Sequence, residues 1–588
     1  MKYHNILAVI LMTLVSCDQT KSTKPEMNFE EVLESFYQEG LQLDPITATF
    51  SGDDRYNDLF PNFLSEEYQE QVKEHYNKYL KLIKSYPDQS LNESQQLSKA
   101  IIQWECEIGL EDMKYNKDLT PIDQMWSVNL VIGQLASGSS AQPFKTVEDY
   151  NNWLKRVDGY LEWFNTAIQK MKEGIEMDYV LPKSLIVKVI PQIEAMTIED
   201  YQEHLFFSPV KNFPESFSQE QKDNLTTAYK TMINEKIIPA HQRMLDFLST
   251  DYLEAGRTTS GYGTMPNGAS FYQHQIKLYT TTNMTADEIH QLGLNEVARI
   301  REEMEKVKTQ VGYEGDLVSF FDYVRNNKEL MPYSEPEQVI DHFEGIHERM
   351  KPHLEKLFDK KPKTPFEIRR TEAFREKSAS AEYNPGSLDG SRPGIFYVPI
   401  PDASSYNIYA AEDLFLHEAI PGHHYQVSLT QENENLPMFR KTLWYSGYGE
   451  GWALYSESLG SELGLFTDPY QYFGMLGNEI HRAIRLVVDT GIHSKGWTRE
   501  EAIEYSLRNE AEPHDDIIRE VERYMANPGQ ALSYKIGQLK IQELRKKASE
   551  SLGDQFDIRE FHNQVLATGC VPLALLENKI EGWIGSVK

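Results

Sequence analysis

Leu416-His417-Glu418-Ala419-Ile420-Pro421-Gly422-His423-His424-Tyr425-Gln426 sets three imidazoles and one carboxylate within eight residues, after Asp413-Leu414-Phe415. The stretch reads as helix on both sides of the Pro-Gly. Neutral imidazole suits zinc, and a carboxylate beside it can serve as a general base. The familiar zinc helix, His-Glu-x-x-His, puts its two imidazoles on one face, one turn apart. Here the position four after His417 is Pro421. On an unbroken helix His423 would point about 240° round from His417, and His424 would regain that face only roughly 10 Å further along the axis. Neither could then share an ion with His417, so a working site requires the helix to break. Pro421 lacks an N–H and clashes with the preceding turn, and Gly422 tolerates unusual dihedrals. The breaker stands where the geometry calls for one.

A second stretch supplies more carboxylates: Gly447-Tyr448-Gly449-Glu450-Gly451-Trp452-Ala453-Leu454-Tyr455-Ser456-Glu457. Glu450 and Glu457 are seven apart and share a helix face, two turns from each other. Two His and one Glu form a common catalytic zinc set that leaves a position open for water. Glu450 reads as the third ligand, and Glu457 as a group that orients a ligating imidazole.

His417-Glu418-Ala419-Ile420-Pro421-Gly422-His423-His424 and Glu450-Gly451-Trp452-Ala453-Leu454-Tyr455 resemble the bacterial family called domain of unknown function 885. So do Asp389-Gly390-Ser391-Arg392-Pro393-Gly394 and Pro528-Gly529-Gln530-Ala531-Leu532-Ser533-Tyr534-Lys535. The resemblance covers most of the chain after residue 28 and is densest from about 380 to 576. More distantly, the order of motifs is similar to helical gluzincin peptidases: thimet oligopeptidase, angiotensin-converting enzyme and the Taq-type carboxypeptidases. In those a Gly-His closes the zinc helix, and a ligand Glu follows some two dozen residues later. That likeness implies one zinc ion on His417, His423 and Glu450, with Glu418 as the base. His424 stands as the alternative second ligand, because this first motif carries two extra residues. A tyrosine in a downstream helix stabilises the oxyanion in those peptidases, which makes Tyr534 the candidate here.

The 588 residues carry 59 basic and 90 acidic side chains, a net charge of −31. Such a chain disfavours nucleic acid and anionic lipid surfaces as partners. Hydrophobic content of 40% and charged content of 25% are those of an ordinary folded domain. Three cysteines, Cys17, Cys106 and Cys570, are too few for a disulfide framework. Cys106 and Cys570 read as core thiols. Cys17 follows Leu14-Val15-Ser16, after an apolar run from Ile6 to Val15 and the basic Lys2. That run has signal-peptide length and is too short for a stable span. Residues 1–16 are therefore expected to be a signal peptide ending in a bacterial lipobox. Residues 17–27 are expected to be a lipidated Cys17 and a polar tether, anchoring the protein in the cell envelope, outside the cytoplasm.

Asn28 with Glu31 signals a helix start, with Val32, Leu33, Phe36 and Tyr37 following at helical spacing. Val72, Tyr76, Tyr79, Leu80 and Ile83 repeat the pattern, as do Trp153, Val157, Tyr160, Leu161 and Phe164. Residues 28–255 thus read as an N-terminal helical half whose aromatic stripes are core. Glycines and a proline crowd residues 256–272, which read as a loop or boundary opening the C-terminal half, 256–588. Thr285 with Glu288 caps a helix with the face Ile289, Gly293, Val297, Ile300 and Met304. Phe343, Ile346 and Met350 mark another. Phe366–Arg370 and Gly394–Ile400 are short, aromatic and β-branched, and read as strands whose edge can pair with an extended peptide. A helix from Asp468-Pro469 to about Ile492 carries His481, Arg485 and Asp489 at four-residue spacing. Thr498 with Glu501 caps the next, and Asn527-Pro528-Gly529 precedes a helix from Gln530. Arg485 is a candidate for holding a substrate carboxylate. Arg392 and Tyr397, beside the metal region, are further substrate-binding candidates.

The fold class expected is all-α dominated: a large two-lobed helical body with a small β-sheet lining a deep active-site cleft. The function expected is zinc-dependent hydrolysis of short peptides. A non-enzymatic peptide-binding lipoprotein, or an amidohydrolase acting on cell-wall or other amides, would use the same residues differently.

Overall fold

Asn28 opens the first helix with a full capping box. Its side chain accepts from the Glu31 N–H, and the Glu31 carboxylate accepts from the Asn28 N–H, both at 3.0 Å. The helix Phe29–Leu43 then buries Phe29, Val32 and Leu33. The computed structural model describes residues 27–372, 375–376, 379–387, 390 and 392–588. The expected signal peptide, Cys17 and residues 18–26 of the tether lie outside the described residues, as do Asp389 and Ser391.

The same reasoning recurs along the chain. Thr285 and Glu288 form a capping box, and the helix Ala286–Gln310 buries Ile289, Gly293, Val297, Ile300 and Met304. Thr498 and Glu501 cap Arg499–Asn509 in the same way. Helix Val147–Glu176 buries Trp153, Val157, Tyr160 and Phe164. The protein is dominated by α-helix, with one small sheet among the described residues. Among the described residues no helix is long and apolar enough to cross a membrane.

Three large apolar clusters hold the helices together. One joins Phe29, Tyr79, Ile101 and Cys106 to Trp452, Ile541, Cys570 and Ile580. A second runs from Phe60 to Tyr252. The third packs Val297, Ile300 and Phe320 against Ile480, Val487 and Tyr524. The helices of residues 29–106 thus share a core with those after residue 270. Cys106 and Cys570 are buried free thiols.

The glycine-rich stretch holds a 3-10 turn at Tyr262–Thr264, and helix Gly268–Thr280 begins inside it. Phe271, Tyr272 and Ile276 are buried from that helix at helical spacing. That apolar face overrides the local glycine and proline content.

The sheet has three strands, β1 (Phe366–Arg370), β2 (Glu382–Asn384) and β3 (Gly394–Val398), in the order β1-β3-β2. β1 runs parallel to β3, with Phe366 opposite Gly394. β2 runs antiparallel to β3, with Tyr383 opposite Phe396. β2 escapes sequence reading because it is three residues long, and two of them, Glu382 and Asn384, are polar and exposed. Phe396 packs on Phe343 and Phe415, at 5.3 and 6.4 Å between ring centroids, and Phe366 on His424 at 5.0 Å. These contacts seat the sheet directly against the helices that carry the histidines.

Candidate metal centre

Helix Ala411–Glu418 stops before Ala419, and a new helix, His423–Glu432, starts after Gly422. The Ile420–Pro421 peptide between them is cis. A Cβ on Gly422 would lie 1.9 Å from the His417 carbonyl oxygen and 2.3 Å from that of Leu416. Only glycine allows the chain to fold back so tightly. The break is held from outside. Trp452 of helix Ser446–Glu457 donates its indole N–H to the Pro421 carbonyl at 2.9 Å. One motif therefore fixes the bend in the other.

Helix Ser446–Glu457 lies across helix Ser533–Leu552 at a glycine contact. A Cβ on Gly451 would meet the Gly537 Cα at 2.5 Å. Neighbouring Ser446 and Ser533 hydroxyls hydrogen-bond at 2.7 Å. The close crossing brings Glu450 and Tyr534 to the same cavity.

The bend does what an unbroken helix would not. One ligand atom from each of His417, His423 and Glu450 lies within 4.8 Å of the others. The Nε2 atoms of His417 and His423 each stand 3.6 Å from the same oxygen, Glu450 Oε2. Tetrahedral zinc with bonds of about 2.0–2.2 Å separates its ligand atoms by roughly 3.3–3.5 Å. The donor set, two imidazoles each 3.6 Å from one carboxylate oxygen, is of a kind and spacing that fits a zinc ion.

His417 is held from behind. Its Nδ1 hydrogen-bonds Glu457 Oε1 at 2.7 Å, which leaves Nε2 for the shared centre. Burial disfavours a charged imidazole there, but Glu450 and Glu457 outweigh it and push His417 up to about 10. Burial likewise raises Glu450, yet the His417 and His423 imidazoles 3.6 Å away hold its carboxyl well below the usual range. The two shifts are the two sides of one pairing, imidazoles and carboxylates each favouring the charged form of the other. Outer partners of this kind typically account for about 10–100-fold in metal affinity. Glu457→Ala is therefore expected to weaken zinc binding by that factor, read by competition with a chelator, while His417, His423 and Glu450 stay in place.

His424 is turned elsewhere. Its Nδ1 meets the Tyr383 hydroxyl at 3.0 Å and Ser428 Oγ at 3.3 Å, and its ring packs on Phe366. It ties the second helix to β1 and β2.

Glu418 lines the cavity beside His417 and His423. Burial raises its carboxyl, with the two imidazoles opposing and Glu450 reinforcing the shift. Tyr534 lines the cavity too, and burial raises its hydroxyl. So does Arg485, whose guanidinium carbon sits 4.7 Å from the centre of the Tyr534 ring. His481, Arg485 and Asp489 are all buried. The cavity holds about 650 Å³.

Two candidates are not brought to it. Arg392 is exposed and absent from the cavity wall. Tyr397 sits on the middle strand, on the face opposite to Phe396, and stacks under the Arg375 guanidinium at 5.0 Å. Strand alternation turns it away from the centre, and it does not line the cavity.

Sequence reading missed Trp126, Trp444, Glu520 and Arg523, which also line the cavity. Trp444 had a local signal: it precedes the Glu450 motif, and its ring covers Gly449 and lies 5.9 Å from the His423 ring. Trp126 had none, since it reaches the site from a distant loop. Asp123 Oδ1 fixes that loop by accepting from the N–H groups of Met125 and Trp126, both at 2.6 Å.

The profile of the family described as "Bacterial protein of unknown function (DUF885)" matches residues 45–580, and the chain belongs to that family. Among solved structures, the chain is similar to one described as "the putative lipoprotein from Colwellia psychrerythraea". Identity is 26% and the TM-score 0.84, over 95% of this chain and 99% of that one. It is also similar in fold to "a putative lipoprotein of unknown function from Shewanella oneidensis". There identity is 19% and the TM-score 0.75, over 94% of this chain and 99% of that one. No curated protein matches the chain.

Proposed function

We propose that this member of the DUF885 family is a zinc-dependent hydrolase that cleaves peptide bonds of short peptides at the bacterial cell envelope. The observation that carries this reading is the convergence of His417, His423 and Glu450 within 4.8 Å, in a cavity that Glu418 also lines. A zinc ion held by those three residues would supply Lewis acidity and an acidified water.

The chain's own groups do the rest. The Glu418 carboxylate takes a proton from the attacking water and returns it to the leaving amine. Its buried position raises its proton affinity, which suits a group that must hold that proton between the two steps. The Tyr534 hydroxyl donates a hydrogen bond to the oxyanion as the carbonyl becomes tetrahedral. The Glu457 carboxylate keeps His417 turned with Nε2 forward. A cavity of about 650 Å³ is of a size that favours a short peptide over a folded protein. Purified protein is expected to cleave a short quenched-fluorescence peptide, to stop when a chelator strips it, and to recover with added zinc. Retained cleavage in the chelator-stripped, metal-free protein would refute the metal-dependent reading.

The envelope location is supported by the neighbours described as lipoproteins and by the sequence Leu14-Val15-Ser16-Cys17. Cys17 is expected to be the lipidated first residue of the mature chain, since stable attachment requires more than one acyl chain and a lipobox cysteine acquires them. Cys17→Ser is expected to shift the protein from the membrane fraction to the soluble one, or to block processing. Mass spectrometry of the native N-terminus checks it, and an unmodified start elsewhere would overturn it.

A further inference from the structure

Among the described residues, which include all eight tryptophans, only Trp126 and Trp444 are exposed, at 58% and 48% of their surface. Both line the cavity of His417, His423 and Glu450. A single exposed apolar side chain means little on a protein surface. Two indoles left in water on the wall of one cavity are a different matter. Burying either would be favourable, and exposed Met125 lines the same wall beside Trp126.

Both indoles are carried by fixed backbone. The Trp444 ring lies 2.3 Å from where a Cβ on Gly449 would stand, and its centre is 5.9 Å from that of the His423 ring. The missing side chain at Gly449 lets the indole lie against the helix that carries Glu450. Val427 follows His423 by one helical turn and continues the wall. Trp126 arrives on the turn that Asp123 closes. That turn is tied down on both sides: Gln124 donates to the Glu522 carbonyl at 3.1 Å, and Gln192 donates to the Gln124 carbonyl at 2.9 Å. Glu522 belongs to the helix His514–Ala526, which also brings Glu520 and Arg523 to the cavity.

The cationic part of the wall is already satisfied. Arg485 gives hydrogen bonds to Glu520 and the Tyr524 hydroxyl, and Arg523 to Glu520 and Gln530. The remaining Arg485 nitrogen, Nη1, is buried away from the cavity surface. The substrate carboxylate expected at Arg485 therefore finds no donor waiting there. What the wall leaves without a partner is aromatic surface.

We propose that Trp444 with Val427, and Trp126 with Met125, form a side-chain subsite that takes a large apolar residue, aromatic or branched aliphatic, next to the bond that is cleaved. This rests on the reading of the cavity as a peptide-hydrolysing site. Trp444 sets the position, because a ring so close to a metal-ligand candidate is within reach of the residue flanking a bond held at the metal. An apolar side chain laid on the indole takes both surfaces out of water. Met125 and Val427 add a thioether and hydrocarbon, which suit such a side chain better than a sugar ring rimmed with hydroxyls.

Calorimetry on the full-length, zinc-loaded Glu418→Gln variant tests this with bound peptide left uncut. The probes are neutral pentapeptides of Ala and Ser with the same free ends, in which one position at a time is Phe, Leu or Gln, and a tetramer of N-acetylglucosamine. At one position Phe or Leu is expected to tighten binding about 10- to 100-fold over Ala, the yield of burying a large apolar side chain, and Gln is not. Trp444→Ala is expected to erase most of that gain, Trp444→Phe to keep a large part of it, and Trp126→Ala to reduce it. Zinc content and circular dichroism on each variant confirm that site and fold persist. No gain at any position, or a gain that survives both alanine variants, overturns the proposal. Binding of the sugar tetramer without a gain from Phe overturns it too, and assigns the indoles to a glycan. A wild type that prefers the Phe peptide but cleaves none upholds the subsite and refutes the hydrolase reading. Cleavage at rates that ignore Phe at every position leaves the hydrolase reading standing and this one refuted.

Discussion

Glu418→Gln is expected to keep zinc and fold and to lose about 10²–10⁴-fold in turnover, the usual cost of removing a general base. The substitution keeps the size and planarity of the side chain but removes its ability to accept a proton near neutral pH. Glu418 adjoins His417 in sequence and lines the cavity, yet it is not one of the three converging ligand residues. Loss of rate without loss of metal is therefore the signature of its role. Zinc content, circular dichroism and peptide cleavage measured on one preparation separate the possibilities. Wild-type rate in the variant would mean that the base lies elsewhere. Glu457 would not be the replacement, because it is bonded to His417 Nδ1 and does not line the cavity. Among the described residues, Glu382 and Glu520 are the remaining cavity carboxylates.

His423→Ala is expected to lose its zinc, and His424→Ala to keep it. The two side chains are adjacent in sequence and separate in function. His423 Nε2 faces Glu450 at 3.6 Å, whereas His424 Nδ1 is engaged by Tyr383 and Ser428. Removing one of three protein ligands should cost more than the roughly 10–100-fold lost with an outer-shell partner. His424→Ala should instead loosen the seat of β1 and β2 on the second helix, visible as a lower melting temperature at unchanged metal content. The reverse pattern would transfer the ligand role to His424. It would also require the second helix to be turned from the orientation described here.

Much of this arrangement was legible because it is local. The Pro421-Gly422 break, the two carboxylates of the Glu450 stretch and the capping boxes at Asn28, Thr285 and Thr498 are written in short windows. A window can also pose a question that it cannot answer. The likeness to the gluzincins favours His423 with His424 as the alternative, but helix spacing alone separates neither from the other until the second helix has a direction, and Trp452, from another motif, helps to set it by holding the Pro421 carbonyl. Arg485 was legible by its proximity in sequence to the metal motifs. Its partner Glu520 was not, because Glu520 and Arg523 look like ordinary charges on a surface helix until that helix packs on Arg485. Arg392 and Tyr397 were misplaced for the complementary reason: nearness in sequence put them beside the histidines, and the pleat of β3 and an exposed turn took them away. Trp126 lies nearly three hundred positions from His417, and only the tertiary fold brings both to one cavity.

The central claim, that His417, His423 and Glu450 bind a metal ion, is tested most directly by elemental analysis of the purified full-length protein beside His417→Ala and Glu450→Ala. The account predicts close to one zinc per chain in the wild type and nearly none in either variant, with all three folded by circular dichroism. A wild type that takes up no metal even when zinc is supplied, or equal metal in all three proteins, would contradict it.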